Sequence, residues 1–309
     1  MPLMKPQNMA TVAWCFATVG LRPWPLLASL AAASVERLDE FLPRHLSNLV
    51  WSFAKLNIKE PSLLASLATA CHSGVRHADR QGLANSAWAF AALLWHDGPL
   101  MAAIGTECCK QMASFTPQHV ANLAWAFAKL EAFATPVGGP QGVHAAMGLR
   151  SDIGTQATVN LLWAVAKLSH QSAPLVQHLS GIALKLMAEL STIDLSNLAW
   201  SYATMMCHPA FLEVTASRVL EKLSEFGSQD LSITAWSFTK LSFGSLQLYE
   251  ALATASVAKI SEFGAQSLGN TGWAFAKRQL MDRQLMDAIG HAARAHIMEL
   301  KPQQLSNLA

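Results

Sequence analysis

The segment LSNLVWSFAKL, residues 46–56, decides the fold because the chain repeats it with small changes. Its apolar residues recur at steps of three and four, which is the period of an α-helix. Asn48 lies inside this run, three residues before Trp51, although asparagine is a poor residue for a helix interior. The related segments are LANSAWAFAAL (83–93), VANLAWAFAKL (120–130), TVNLLWAVAKL (158–168), LSNLAWSYATM (195–205), LSITAWSFTKL (231–241) and LGNTGWAFAKR (268–278).

Tryptophan marks the same position of every unit. Of the ten tryptophans in the 309 residues, Trp24 and Trp95 lie off the pattern. The others are Trp14, Trp51, Trp88, Trp125, Trp163, Trp200, Trp236 and Trp273, separated by 36 to 38 residues. A fixed period of this length indicates a repeat architecture. Because the pattern begins in mid-unit and QQLSNLA (303–309) stops one residue before the next tryptophan is due, we expect a chain truncated at both ends.

Each unit divides into two amphipathic helices. The first carries the tryptophan motif, and the second is often preceded by a proline, as at Pro61, Pro174 and Pro209, which suits a first helical turn. Strand signals such as sustained alternation are absent from the sequence. One hairpin cannot bury its own apolar faces, but stacked hairpins can. We therefore predict an all-α fold, a right-handed α-solenoid of about eight 37-residue helical hairpins forming a single array.

The predicted unit boundaries follow the tryptophan spacing. Only the stretch 131–151, with PVGGPQG inside it, departs from the pattern, and we expect a shortened second helix or a longer loop there. The predicted units are 1–42, 43–79, 80–116, 117–154, 155–191, 192–227, 228–264 and 265–301, with the start of a ninth at 302–309.

The first helix has two contrasting faces when residues are placed at about 100° each. Relative to tryptophan at position 0, leucine at −5, the residue at −2, phenylalanine at +2 and leucine at +5 form the predicted core face. Small residues at −1, +1 and +3 should let neighbouring first helices approach closely. Glutamine at −7, asparagine at −3, tryptophan at 0 and lysine at +4 fall within about 60° of one another, and we call these four positions the polar stripe.

The polar stripe is well filled along the chain. Thr11 and Ile233 stand in place of the asparagine in two units. Its asparagines are Asn48, Asn85, Asn122, Asn160, Asn197, Asn270 and Asn307. Its lysines are Lys55, Lys129, Lys167, Lys240 and Lys277. Its glutamines are Gln7, Gln81, Gln118, Gln156, Gln229, Gln266 and Gln303.

Two interpretations of the polar stripe remain open. The asparagines could bond neighbouring helices and fix the stacking angle, with the lysines solvated at the helix ends. Alternatively, amides donate to bases or sugars and each lysine meets a phosphate, as in repeat proteins that take one nucleotide per repeat. The tryptophans could be packing wedges or, if exposed, stacking platforms for bases.

Position −6 is the candidate for base selectivity because its chemistry changes between units. It is occupied by Asn8, His45, Gly82, His119, Ala157, Asp194, Asp230, Ser267 and Gln304. The candidate RNA-binding residues are therefore Lys55, Lys129, Lys167, Lys240, Lys277, Asn48, Asn85, Asn122, Asn160, Asn197, Asn270, His45, His119, Asp194 and Asp230.

Composition limits the remaining functions. Hydrophobic residues make up 52% of the chain, charged residues only 14%, and the formal net charge is +2. So apolar a chain also suits an alternative, a protein-binding α-solenoid scaffold within a ribonucleoprotein or another complex. No apolar run reaches the roughly 20 residues of a membrane span. We found no nucleotide-binding loop, catalytic motif or zinc spacing, so we expect no enzyme, no cofactor, no metal and no small-molecule substrate.

The repeated pattern, clearest in PQHVANLAWAFAKL (117–130), resembles the helical repeats of octotricopeptide-repeat proteins and of RAP-domain and FAST-kinase-like organellar proteins. It is also similar to repeats in subunits of the kinetoplastid RNA-editing substrate-binding complex. The resemblance implies a solenoid that binds single-stranded RNA in mitochondria or chloroplasts, together with other ribonucleoprotein subunits. It further implies a role in RNA processing, stability, editing or translation. Neither a RAP module nor a transit peptide is visible in these residues.

Overall fold

The computed structural model describes residues 4–111, 114–132, 153–168, 173–206, 212–297 and 302. Most of the predicted loop at 131–151, and Asn307 with the rest of the last segment, lie outside the described residues. The chain separates into two compact units, Met1–Ile153 and Gly154–Ala309, and each of these larger units contains several of the 37-residue repeats. In the described residues every regular element is a helix, and neighbouring helices pack in sequence order, which confirms the predicted all-α solenoid.

The two units contain alternating first and second helices. In the first unit these are α1 (Pro6–Val19), α2 (Trp24–Val35), α3 (Pro43–Lys55), α4 (Pro61–Gly74), α5 (Arg80–Ala92), α6 (Gly98–Gln111) and α7 (Pro117–Lys129). In the second unit they are α8 (Thr155–Lys167), α9 (Ala173–Lys185), α10 (Thr192–Met205), α11 (Leu212–Lys222), α12 (Ser228–Lys240), α13 (Leu246–Ala258), α14 (Ala265–Lys277) and α15 (Arg283–Ala295). The first helices are therefore α1, α3, α5 and α7 in one unit and α8, α10, α12 and α14 in the other.

The most extensive packing joins consecutive first helices within each unit. Helix α5 illustrates how its sequence permits this, because its small residues Ala84, Ala87, Ala89 and Ala91 are all fully buried. Short side chains at these positions let two helix backbones approach closely. The aromatic residue at +2, Phe90 in this helix, is also fully buried and fills the core together with leucines of the second helices. The two faces predicted from the periodicity are thus the two faces observed.

The first helices end at a recurring left-handed residue. It lies six positions after the tryptophan, where glycine is the usual choice, as in Gly20 with φ of 73°. At the other described positions the residue is not glycine, and φ lies between 52° and 58°. These residues are Asn57, Leu94, Glu131, Met206, Ser242 and Gln279. The turn that leads into the second helix is therefore kept at a conformational cost of about 1–2 kcal/mol for a residue with a Cβ.

Basic residues near the ends of the second helices link consecutive repeats. Lys222 Nζ donates to the carbonyl oxygen of Leu190 at 2.9 Å. One repeat later, Lys259 Nζ donates in the same way to Phe226. In the first unit Arg37 donates to the carbonyl oxygen of Met4. These contacts were not predicted from the sequence. They use some of the few positively charged side chains to hold the helices together.

Tryptophans of the motif contact one another between neighbouring repeats. The ring centroids of Trp51 and Trp88 are 6.3 Å apart, and those of Trp88 and Trp125 are also 6.3 Å apart. In the second unit the Trp163–Trp200 centroids lie at 5.6 Å with the planes 25° apart, and the Trp236–Trp273 centroids lie at 6.4 Å. These rings are half-buried. We call these seven side chains the tryptophan row. Within each unit the ring contacts join neighbouring repeats, and each ring remains partly accessible.

The left-handed position gives a stability prediction. Ser242 is exposed and has φ of 54°, so Ser242→Gly should raise the free energy of unfolding by about 0.5–1 kcal/mol, because relief of the Cβ clash outweighs the extra entropy of glycine in the unfolded chain. Urea unfolding measures the change. Ser242→Ala, which keeps the Cβ, is the matched control and should change stability little. Equal stability of the two variants would contradict the strain.

The tryptophan row gives a second prediction. Trp88 contacts two other rings, so Trp88→Ala should lower the free energy of unfolding by about 2–3 kcal/mol, less than a fully buried aromatic residue because one edge is already exposed. Trp24, off the row and 58% exposed, provides the control, and Trp24→Ala should cost below about 1 kcal/mol. If both variants lose the same amount in urea unfolding, stacking along the row does not stabilise the protein.

Candidate nucleic-acid interface

The polar stripe lies on the accessible face of the first-helix layer in each unit. Its glutamines are exposed, and its lysines and asparagines are exposed or half-buried, whereas the core-face residues of the same helices are buried. In α3, for example, Asn48 and Lys55 are exposed while Leu49 and Phe53 are fully buried. The same chemical groups thus recur from one first helix to the next along a surface that a ligand can reach.

The asparagine amides do not form a ladder between helices. Asn122 Oδ1 accepts a hydrogen bond from Gln118 Nε2 at 2.9 Å, four residues earlier in the same helix. The side chains of the other five described stripe asparagines, Asn48, Asn85, Asn160, Asn197 and Asn270, make no hydrogen bond to a described residue. The structural interpretation of the asparagines therefore loses its main support. Half-buried amides without internal partners are suited to hydrogen bonding with a ligand.

Stripe lysines lie over the tryptophan row. Lys55 Nζ is 5.8 Å from the centroid of Trp51, and Lys240 Nζ is 4.8 Å from that of Trp236, which is the geometry of a cation–π contact. Each lysine belongs to the last turn of its helix, where positive charge is favourable. Ion pairs such as Arg37–Glu40, Lys110–Glu107 and Arg218–Glu221 lie instead on second helices or the turns that follow them. Lys55 and Lys240 therefore bring positive charge next to aromatic rings on the polar stripe.

The two carboxylates at position −6, those of Asp194 and Asp230, accept hydrogen bonds from groups of the protein itself. Asp194 forms a capping box with Ser191 at the start of α10, accepting from the Ser191 backbone N–H at 3.0 Å. Asp230 reaches the preceding repeat and accepts hydrogen bonds from Thr192 at 3.4 Å and Ser196 at 3.0 Å. These carboxylates therefore fix helix starts and the joint between repeats.

The two histidines at position −6 are likewise engaged inside the protein. His119 forms a capping box with Thr116, and its ring meets Phe115 edge-on at 5.9 Å. His45 is only 9% exposed and meets Phe41 edge-on at 6.5 Å. Burial lowers the pKa of both histidines, with Arg44 acting in the same direction on His45 and Arg80 on His119. His45, His119, Asp194 and Asp230 therefore also make contacts within the protein, and their role in base selectivity stays a prediction.

The described residues contain little that suggests other chemistry. Within them, no group of three or more histidine, cysteine or acidic residues could hold a metal ion. Burial raises the pKa of Cys71 to about 12, so this thiol is protonated at neutral pH. Over the same part of the chain, no helix is both long and apolar enough to cross a bilayer.

Sequence reasoning missed the stacking of the tryptophans and the contacts of the lysines above them. The sequence did contain a signal for the lysine–tryptophan contacts, because in five repeats the tryptophan and the lysine four residues later fall on one helix face. What the sequence lacked was the offset between neighbouring helices, which decides whether rings on adjacent helices touch or are separated.

Comparison with known proteins agrees with this architecture. A search of curated proteins gives no match. The sequence matches the family described as RNA-editing substrate-binding complex 6 protein over residues 2–135 and 142–309. This match supports the resemblance to subunits of the RNA-editing substrate-binding complex and does not address the octotricopeptide, RAP or FAST-kinase-like resemblances. Since the matched residues span nearly the whole chain, this protein belongs to the RNA-editing substrate-binding complex 6 protein family.

Proposed function

We propose that the polar stripe binds single-stranded RNA and that the protein acts in organellar RNA editing. The observation that carries this proposal is the accessible repetition of amide, aromatic ring and amine on successive first helices. Amides can hydrogen-bond bases or sugars, while ammonium groups neutralise phosphates. The half-exposed tryptophan edges add apolar contact for sugars and bases.

The repeat spacing suits a nucleotide chain. Packed helices lie about 8–10 Å apart, so equivalent groups on neighbouring first helices recur at a distance comparable with successive nucleotides in an extended strand. Helical-repeat proteins that take one base per repeat use the same principle. Because the stripe presents nearly constant residues, most of its contacts would be independent of base sequence.

The family gives the proposal its cellular setting. The name refers to a complex that binds RNA-editing substrates, so RNA and other subunits are the partners we propose for this chain. Of the two organelles expected from the sequence, we propose the mitochondrion. We further propose that the protein is not an enzyme and contributes binding alone.

A scaffold role fits the opposite face of the first unit. The exposed residues of α2 and α4 are mostly small and uncharged, for example Ala28, Ala32, Ala65 and Thr69. Such a surface has little attraction for RNA phosphates but would allow close packing with another subunit. We therefore propose that protein contacts use the second helices while RNA uses the stripe, so that both sequence interpretations apply to different faces.

Salt dependence tests the lysines. Replacing Lys55, Lys129, Lys167, Lys240 and Lys277 together with glutamine should weaken binding of labelled single-stranded RNA. The slope of log K against log salt should fall in magnitude by about 0.7 for each lysine that contacts a phosphate. Fluorescence anisotropy over a salt series measures both quantities. The control variant, Lys59→Gln with Lys185→Gln, removes exposed lysines outside the stripe and should change binding little. Unchanged affinity and slope in the fivefold variant would assign the stripe lysines to solvent.

A single asparagine tests the amides. Asn197→Ala should change the free energy of unfolding by no more than about 0.5 kcal/mol, since its amide has no hydrogen-bonded partner among the described residues and alanine favours the helix. RNA binding should weaken about 2- to 10-fold, the equivalent of one lost hydrogen bond. Thermal melting and anisotropy give the two readouts. Gln247→Ala on the exposed face of α13 serves as control, and loss of stability with unchanged RNA binding would restore the structural interpretation.

A further inference from the structure

One joint between repeats in the second unit is open. The first turns of α12 and α14 border a cleft of about 340 Å³, at the lower end of the range of ligand-binding pockets. Polar side chains form most of its lining, namely Ser228, Ser232, Glu262, Gln266, Ser267 and Asn270. Two of them, Gln266 and Asn270, belong to the polar stripe, so the cleft opens beside the surface proposed to bind RNA.

The preceding joint shows why this one is open. Between α10 and α12 the carboxylate of Asp230 occupies the corresponding place and accepts hydrogen bonds from Thr192 and Ser196. In the next repeat Ser228 and Ser232 take the positions of that threonine and serine, but position −6 is Ser267, whose side chain is too short to fill the gap. The hydroxyl of Ser232 bonds only the carbonyl oxygen of Gln229, within its own helix. The carboxylate that bridges the joint between α10 and α12 therefore has no counterpart here.

The lining chemistry matches a base better than a phosphate. Glu262 places an exposed carboxylate at the cleft, which repels anions but accepts hydrogen bonds from N–H groups. Amides and hydroxyls on the other residues can donate. The repeat that contains α12 carries Ile233 in place of the stripe asparagine. This side chain gives the cleft an apolar surface against which the face of a base can pack. The cleft therefore combines a double acceptor, several donors and a flat apolar contact.

Guanine satisfies this combination most fully. Its N1–H and N2–H₂ groups are adjacent donors for one carboxylate, and its O6 and N7 atoms are acceptors for amides and hydroxyls. Uracil offers a single N–H donor on its pairing edge. We propose that the cleft between α12 and α14 is a subsite for one guanine of a bound RNA strand, an assignment that rests on the proposed RNA-binding function. The otherwise uniform polar stripe thereby acquires one sequence-selective position.

The test compares short RNAs that differ in one base. The probes are a 12-nucleotide oligouridine and the same strand with a single central guanine, cytosine or adenine. Anisotropy should show the guanine strand binding about 5- to 150-fold more tightly than oligouridine, the range expected for one well-placed base contact. Equal binding of all strands, or tighter binding of the cytosine or adenine strand, would overturn the guanine subsite while leaving RNA binding intact. Absence of binding to every strand at low salt would instead refute the proposed function itself.

Variants then place the preference in the cleft. Ser267→Asp restores the carboxylate found at Asp230 and should abolish the guanine preference while oligouridine binding stays within about twofold. Ser267→Ala leaves the cleft open and should keep the preference. Glu262→Gln removes the double acceptor at an exposed site and should also abolish it. Circular dichroism and melting confirm that each variant folds. A guanine preference that survives both Ser267→Asp and Glu262→Gln would show that the cleft is not the subsite.

Discussion

Close contact between consecutive first helices is the constraint on which the remaining structure depends. It requires small residues on both flanks of each first helix, and in α5 four alanines are fully buried there. A larger side chain at any of them would push two repeats apart along their whole length, because packed interiors tolerate little added volume. Once the contact is fixed, equivalent positions of neighbouring helices are brought side by side. A polar or aromatic residue on the free face of one first helix therefore lies beside the same residue of the next, and together these residues form a continuous surface within a unit.

The same constraint decides where the few charges go. With 14% charged residues, the chain uses Lys222 and Lys259 to bind backbone carbonyls of the preceding repeat, and Arg37 to bind the carbonyl of Met4 just before α1. Asp194 and Asp230 are used at helix starts and joints. Lys55 and Lys240 of the polar stripe lie over tryptophan rings instead. With a net charge of only +2, the chain still repeats a lysine near the end of five of its first helices.

How much the sequence could predict depends on whether a feature is local to one helix. The helices and the division of α3 into a buried and a free face follow from periodicity within a single segment. The joints between repeats could not be predicted in this way. The hydrogen bond that Asp230 accepts from Ser196, for example, depends on the axial offset between two helices, which the sequence does not give. Position −6 varies in the sequence as a recognition site would, and in the structure Asp194 and Asp230 at this position also hold a helix start and a joint. The left-handed residues, such as Leu94, were also missed, because glycine, the usual sign of such a turn, is absent.

A repeat surface of constant composition can bind a polymer but cannot distinguish one base from another, so selectivity has to come from positions that vary. In this protein the varying position lies at the joints, where each side chain also has a packing function. Asp230 closes the joint between α10 and α12. Selectivity can therefore arise only where the closing residue is too short and the joint remains accessible. Ser267 meets the first condition, and Glu262 with Asn270 lines the resulting space. If the polar stripe binds RNA as proposed, this exception in the repeat, rather than its consensus, is the place where a base would be recognised.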